Sequence, residues 1–246
     1  MNLSLSMVER HIGDLLCRVV DTSMSAANPE KVVLLCHGYG AGGDDLVPCA
    51  YELHRAAEIS RTRFVFPAAP IELDDFYGDA RAWWPIDVMA LQDAIATGRI
   101  RDLRNDEPEL LKVRRGEIVE VIEQLRNETG LDTSKLILGG FSQGAMLTTD
   151  VALNIQGGIG GLLIWSGTLL NETNWTRLAA QMSADEKFPI FQSHGRLDPI
   201  LPFSNAERLR DMLLANGFPV TFQEFLGPHT IPPEAIASAA QVIENC

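Results

Sequence analysis

Short apolar runs alternate along most of the chain with longer segments whose apolar residues recur at helical spacing. Several of the short runs are almost continuously apolar, which is typical of strands that helices cover on both faces of a parallel sheet. We predict seven strands, over residues 15–21, 32–36, 63–66, 136–139, 161–165, 190–193 and 220–225.

The segments between these strands predict helices over residues 46–59, 109–129, 143–154, 204–216 and 231–242. Gly130 and Gly217 follow two of them directly, and glycine is favoured just past a helix C-terminus. Alternation of strand and helix indicates an α/β fold, with a mostly parallel, doubly wound sheet flanked by helices. We expect a single domain over residues 1–246, because one sheet of this type commonly occupies a chain of this length.

The least regular part of the chain is the segment 70–107, which is aromatic at first and charged later. A connection of this length without clear elements is uncommon in a compact domain and is often functional. We therefore expect part of the segment to cover an active site.

The chain has a formal net charge of −13 and a sequence pI near 4.8. This balance argues against nucleic acid or an anionic membrane as the main partner, since both attract a basic surface. One region is locally basic, but acidic residues are interleaved there, and we predict a solvated helical surface. Its basic residues are Arg99, Arg101, Arg104, Lys112, Arg114 and Arg115.

The four cysteines form no CxxC pair, so the sequence suggests neither a zinc site nor a thioredoxin-like motif. Cys36 ends an apolar run and is expected to be a buried free thiol.

We expect no signal peptide, because residues 1–10 lack a basic region followed by a long apolar core. No apolar run approaches the ~20 residues of a membrane span. These features predict a cytoplasmic protein without stable membrane insertion.

The motif that carries most information is residues 136–147, LILGGFSQGAML. It contains G-x-S-x-G, from Gly140 through Ser142 to Gly144, between a strand pattern and a helical pattern. Such a serine lies on a strained turn from strand to helix, and small residues on either side let the two elements approach closely. Ser142 is therefore the predicted nucleophile. The alternative is an ordinary turn in which serine and glycine only cap the helix.

Two histidines and several acids follow Ser142, and in this kind of fold the acid precedes the histidine. Asp198 comes just after a predicted strand, and His229 lies on a loop rich in glycine and proline after the last strand. We predict that His229 acts as the base and that Asp198 orients it. His194 is interpreted as shaping its loop. Asp185 and Asp211 remain alternative acids, although neither closely follows a strand.

Backbone N–H groups near the nucleophile are needed to stabilise an oxyanion. The N–H of Gln143, directly after Ser142, is one predicted donor, and the N–H of Tyr39 in the glycine-rich loop 35–43 is the other. His37 is expected to shape that loop. A phosphate-binding loop is the rival interpretation of these glycines, but no Walker lysine follows and the spacing does not match a dinucleotide site.

These segments together resemble the carboxylesterase and acyl-protein thioesterase family of α/β-hydrolases, collinearly over about residues 31–241. The resemblance rests on the two loops with Asp198 and His229 and on residues 36–40 (CHGYG), 66–70 (FPAAP), 81–87 (RAWWPID), 139–144 (GGFSQG) and 165–169 (WSGTL). It implies a cofactor-free α/β-hydrolase that acts on esters or thioesters of hydrophobic acyl groups.

The chain departs from the family pattern in three places. The loop before Asp198 lacks a further acidic residue, and the loop before His229 has only one glycine. The segment 86–107 is longer and more charged than a minimal member needs. These departures leave the three predicted active-site residues in place and bear on the choice of substrate.

An apolar acyl group needs an apolar, partly aromatic cleft. The predicted lining residues are Phe76, Tyr77, Trp83, Trp84, Trp165 and Leu169, each of which could instead belong to the core. Trp83 and Trp84 are favoured for the cleft, because adjacent tryptophans in a loop are hard to bury together. The predicted substrate is a small molecule or an acylated molecule. A ligand-binding protein without catalysis, an acyltransferase and a peptidase with the same triad remain alternatives.

Overall fold

Eight strands form one sheet in the computed structural model, which describes residues 5–22, 28–56, 59, 61–73, 78–99 and 101–246. Their order across the sheet is β1-β2-β4-β3-β7-β8-β9-β10. The strands are β1 (Leu5–Ile12), β2 (Leu15–Thr22), β3 (Lys31–Cys36), β4 (Thr62–Pro67), β7 (Leu136–Phe141), β8 (Gly161–Trp165), β9 (Ile190–Gly195) and β10 (Val220–Phe225). A separate small hairpin pairs β5 (Ile71–Glu72) with β6 (Arg81–Ala82).

The six strands from β4 to β10 pair in parallel, whereas β1 and β2 form an antiparallel edge. The predicted doubly wound, mostly parallel sheet is therefore confirmed, and all seven predicted strands are present. β1 was not predicted. It is an edge strand on which Met7 and Val8 are exposed, so its sequence does not alternate cleanly between apolar and polar residues.

Helices lie against both faces of the sheet. They are α1 (Val47–Ala56), α2 (Val88–Thr97), α3 (Leu111–Thr129), α4 (Gln143–Asn154), α5 (Glu172–Gln181), α6 (Phe203–Ala215) and α7 (Pro233–Asn245). The five predicted helices are present with bounds shifted by up to three residues. α2 and α5 were not predicted. Within the described ranges, no helix combines the length and apolar composition that a membrane span requires.

Successive residues of the central strands point to opposite faces and divide the core into two layers. On β3, Leu34 and Cys36 belong to the layer beneath α3 to α6, whereas Val33 and Leu35 belong to the layer beneath α1 and α7. Cys36 is buried and is a free thiol, as predicted. α4 is buried from Gln143 to Leu153, so the segment after Ser142 is the most enclosed helix of the described chain.

The segment 84–108 contains α2. That helix has its own caps, since the Asp87 carboxylate accepts the Ala90 N–H (2.9 Å) and Gly98 ends it in the left-handed conformation. The body of the protein anchors the rest. Asn205 Nδ2 donates to the Arg101 carbonyl (2.7 Å), and the Glu172 N–H donates to the Arg104 carbonyl (2.8 Å).

The basic region around residues 99–115 is not one solvated helical surface, and this prediction is wrong. Residues 101–107 lie outside any helix. Arg114 donates to the Trp83 carbonyl (2.9 Å), and Arg115 pairs with the buried carboxylate of Asp150 (2.9 Å). These cations hold elements together because each satisfies a buried oxygen that would otherwise lack a partner.

Candidate active site

Ser142 lies between the end of β7 and the start of α4, in the turn that the motif predicts. Its φ of 55° and ψ of −117° are unfavourable for a residue with a side chain. A Cβ at Gly140 would come within 2.6 Å of the Cys36 carbonyl oxygen, and one at Gly144 within 2.0 Å. The glycines on either side of Ser142 are thus required because β3 passes directly against the turn.

Asp198 lies on the loop after β9, where its side chain is fully buried. Its Oδ1 accepts the N–H groups of Ile200 and Leu201, both at 2.9 Å. Its Oδ2 lies 2.6 Å from Nδ1 of His229. Asp198 thus comes shortly after a strand, at the position in the chain that the sequence predicted.

His229 lies on the loop after β10, and backbone contacts bring this loop to the loop of Asp198. The Leu197 N–H donates to the Gly227 carbonyl (3.0 Å), and a Cβ at Gly195 would collide with that carbonyl at 2.4 Å. The His229 ring packs on Phe141, with ring centroids 4.6 Å apart. His229 and Ser142 both line the same cavity.

The charge on Asp198 is stabilised by its neighbours. Burial favours the neutral carboxyl, but the hydrogen bonds from His194 and His229 outweigh it and lower the pKa of Asp198 below its ordinary value. An ionised acid beside His229 favours the tautomer with hydrogen on Nδ1, which leaves Nε2 free to accept a proton.

The two predicted oxyanion donors, the N–H groups of Tyr39 and Gln143, belong to residues that line the same cavity as Ser142. Neither N–H donates a hydrogen bond to any residue in the described ranges. The next N–H along the loop differs, because Gly40 donates to the Arg81 carbonyl (2.8 Å).

Two buried side chains hold the backbone around these N–H groups. The side-chain amide of Gln143 accepts a hydrogen bond from the backbone N–H of Trp83 (2.9 Å) and donates one to the backbone carbonyl of Trp84 (2.8 Å). His37 accepts the Ala69 N–H at Nε2 (3.0 Å), which leaves its Nδ1–H to donate to the Gly38 carbonyl (2.8 Å). Burial lowers the pKa of His37, which favours this neutral form. His37 thus shapes the loop, as predicted.

The cavity in front of Ser142 has a volume of about 800 Å³. Much of its wall is apolar and comes from the segment 84–108, from the end of β7, from α4 and from the loops after β8 and β9. These apolar residues are Trp84, Pro85, Ile86, Leu91, Leu103, Pro108, Phe141, Met146, Leu170, Ile200 and Leu201. Charged residues also line the cavity, namely Asp45, Asp87, Arg101, Asp106 and Glu107.

Of the six predicted lining residues, Trp84 lies on the cavity wall. Trp83, Trp165 and Leu169 do not, because each is fully buried in the core. Trp83 and Trp84 are 0% and 5% exposed, so both of these adjacent tryptophans are buried, contrary to the argument from their adjacency. Phe76 and Tyr77 lie outside the described residues.

Most of the wall residues were missed because they come from short loops and from α2, whose sequence gives no pattern for a cavity. Leu91 carries a partial signal, since it is an apolar residue of the segment that was expected to cover the site. Among the residues that the structure describes, no group of three or more His, Cys, Asp or Glu side chains could hold a metal ion.

The fold and the position of the serine turn define an α/β-hydrolase. The sequence model of the phospholipase/carboxylesterase family matches residues 19–246. The chain therefore belongs to this family, and it is a hydrolase enzyme of the esterase class.

Relatives and solved structures agree with this placement. The acyl-protein thioesterase 1 of Kluyveromyces lactis is 34% identical over 182 residues, which cover 72% of this chain and 74% of the relative. The acyl-protein thioesterase 1 of Eremothecium gossypii is 28% identical, with 89% of each chain covered. The crystal structure of esterase PE8 superposes with a TM-score of 0.73 at 23% identity over 99% of both chains, which shows a shared fold.

Proposed function

We propose that this enzyme is a serine hydrolase that cleaves carboxylic esters or thioesters through an acyl-enzyme, with Ser142 as nucleophile, His229 as base and Asp198 as orienting acid. The observation that carries the proposal is the 2.6 Å contact between Asp198 and His229, beside the same cavity as a serine in a strained turn. Ser142 and His229 come from separate loops and line one cavity, which supports their acting together.

In the first half of the reaction, Nε2 of His229 takes the proton from Ser142 as its Oγ attacks the carbonyl carbon of the substrate. The His229 cation is stabilised by ionised Asp198. Collapse of the tetrahedral intermediate expels the alcohol or thiol, which receives the proton from His229. In the second half, His229 takes a proton from water as the water oxygen attacks the acyl carbonyl carbon, and it returns this proton to Ser142 Oγ as the carboxylic acid leaves.

The N–H groups of Tyr39 and Gln143 are the proposed donors to the oxyanion. Two observations support this role, since both residues line the cavity and neither N–H is already used within the described ranges. Gln143 is also the first residue of α4, where the helix dipole favours negative charge.

We propose small to medium hydrophobic acyl groups as substrates. The largely apolar cavity wall, which includes Trp84 and Leu201, supports an acyl-binding site. Thioesters are included because the named relatives are acyl-protein thioesterases. We further propose that the enzyme works in the cytoplasm on small or acylated molecules rather than on nucleic acid. The net charge of −13 and the four free thiols support this proposal.

The test is the turnover of p-nitrophenyl esters from acetate to palmitate, and of the matching acyl thioesters, by wild type and by Ser142→Ala. Exposed Ser204 on α6 offers a matched control, Ser204→Ala, which removes a hydroxyl outside the cavity. We expect Ser142→Ala to lose turnover on every substrate, and Ser204→Ala to match wild type. Wild-type rates in folded Ser142→Ala would contradict the proposal.

A further inference from the structure

His194 is a second histidine on Asp198, and it has no part in the chemistry proposed so far. It lies at the end of β9, is completely buried and does not line the cavity. Its Nε2 lies 2.7 Å from the Leu201 carbonyl oxygen and 3.2 Å from Oδ2 of Asp198. One N–H thus faces two acceptors, with the main hydrogen bond to the carbonyl and a weaker branch to the carboxylate.

The protonation of the ring follows from its surroundings. The Leu201 carbonyl can only accept, so the hydrogen must be on Nε2. Nδ1 is buried and has no hydrogen-bond partner within the part of the chain that the structure describes. A hydrogen there would be an unsatisfied buried donor, which is costly. The ring of His194 therefore carries its hydrogen on Nε2.

The carboxylate of Asp198 needs a second point of attachment. Ile200 and Leu201 fix Oδ1, but a carboxylate held at one oxygen can still swing its other oxygen. Oδ2 is the atom that faces His229. His194 is the second donor to this oxygen and approaches it from the core, whereas His229 approaches from the cavity side.

We infer that His194 is a positioning residue: its Nε2–H holds Oδ2 of Asp198 in line with Nδ1 of His229 and ties this arrangement to the loop at Leu201. The inference rests on the proposed function, since it assigns a role within the same group of residues. The lowered pKa of Asp198, to which the His194 hydrogen bond contributes, agrees with it.

The experiment compares His194→Phe, which keeps a planar ring without a donor, with His194→Gln, whose amide N–H can replace Nε2–H. His54→Phe is the matched control. His54 lies on α1, its ring contacts the backbone carbonyl of Ile59 (2.8 Å), and it does not line the cavity. The readouts are kcat and KM on p-nitrophenyl acetate, Tm, and the low-field proton resonance of His229 Nδ1–H.

We expect His194→Phe to lower kcat about tenfold, as for one hydrogen bond to a charged group, with KM nearly unchanged. The His229 resonance should move in this variant, and His194→Gln should restore most of both properties. His54→Phe should lower Tm without moving the resonance.

Unchanged kcat and an unmoved His229 resonance in folded His194→Phe would overturn the inference. An equal loss of kcat in the Phe and Gln variants would also overturn it, because the donor would then be irrelevant. Asp198→Asn separates this failure from that of the proposed function. Full activity in Asp198→Asn would reject the triad itself, whereas the resonance reports on His194 whether or not the enzyme turns over the ester.

Discussion

Nδ1 of His229 lies 2.6 Å from Oδ2 of Asp198, although 31 residues separate them in the chain. The two residues follow β9 and β10, which are parallel neighbours, so the loops after them leave the same edge of the sheet. Ser142 follows β7, which lies two strands from β9 in the sheet. The proposed chemistry therefore depends on the strand order, which brings three distant loops together.

Replacing Asp198 with asparagine should reduce kcat by about 10⁴, because the amide favours the wrong tautomer of His229 while the geometry persists. The measurement is steady-state kinetics on p-nitrophenyl acetate. Asp185→Asn and Asp211→Asn are controls, since both acids are exposed and neither lines the cavity. A small effect at Asp198 with a large effect at either control would move the acid elsewhere.

Replacing Gly144 with alanine should lower the free energy of unfolding by about 3 kcal/mol or more, because the new Cβ would lie 2.0 Å from the Cys36 carbonyl oxygen. Gly116→Ala is the matched control. That glycine lies within α3, and a Cβ there has no atom within 4 Å. Alanine should stabilise this helix by about 0.5–1 kcal/mol. Urea denaturation of both variants measures the difference, and equal effects would contradict the close approach of β3.

His37 should make stability depend on pH, because burial lowers its pKa in the folded protein. A histidine with a lowered folded-state pKa contributes stability that is present above the ordinary value of about 6.5. That contribution is lost as the pH falls from there through the lowered pKa. The free energy of unfolding of wild type should thus fall below about pH 6.5 more steeply than that of His37→Gln. Parallel pH profiles of the two proteins would contradict neutral, buried His37.

Leu91 should act in substrate binding, because it lies on α2 and is part of the apolar wall of the cavity. Leu91→Asn is expected to raise KM for hexanoate and longer esters about tenfold with little change in kcat, since it removes binding shared by ground state and transition state. Val113→Asn on α3 is the control, because Val113 is an exposed apolar helical residue outside the cavity. Equal KM values in the two variants would exclude α2 from the acyl site.

The sequence predicted the parts of the site that depend on chain order and local turn chemistry. Gly140 and Gly144 around Ser142 give a strong signal, because only small residues permit that turn. Asp198 and His229 follow recognisable strands, so the edge of the sheet on which they lie could be predicted.

The parts that failed depend on contacts between distant segments. Trp165 ends a buried strand, and nothing in its local sequence shows that it packs in the core rather than against the cavity. Trp83 lies in the core, where the Gln143 side chain accepts its backbone N–H, a contact between residues 60 positions apart. α2 has a single buried residue, Ala94, and thus lacks the apolar periodicity by which helices are found.

Acylation of Ser142 can be observed by mass spectrometry of the protein during turnover of p-nitrophenyl acetate, followed by peptide mapping. We expect one acetyl group per chain, located on Ser142, that is lost on further incubation. The adduct should be absent in Ser142→Ala and present in Ser204→Ala. An acetyl group on another residue that turns over at the catalytic rate, or normal turnover by Ser142→Ala, would contradict the role of Ser142 as nucleophile.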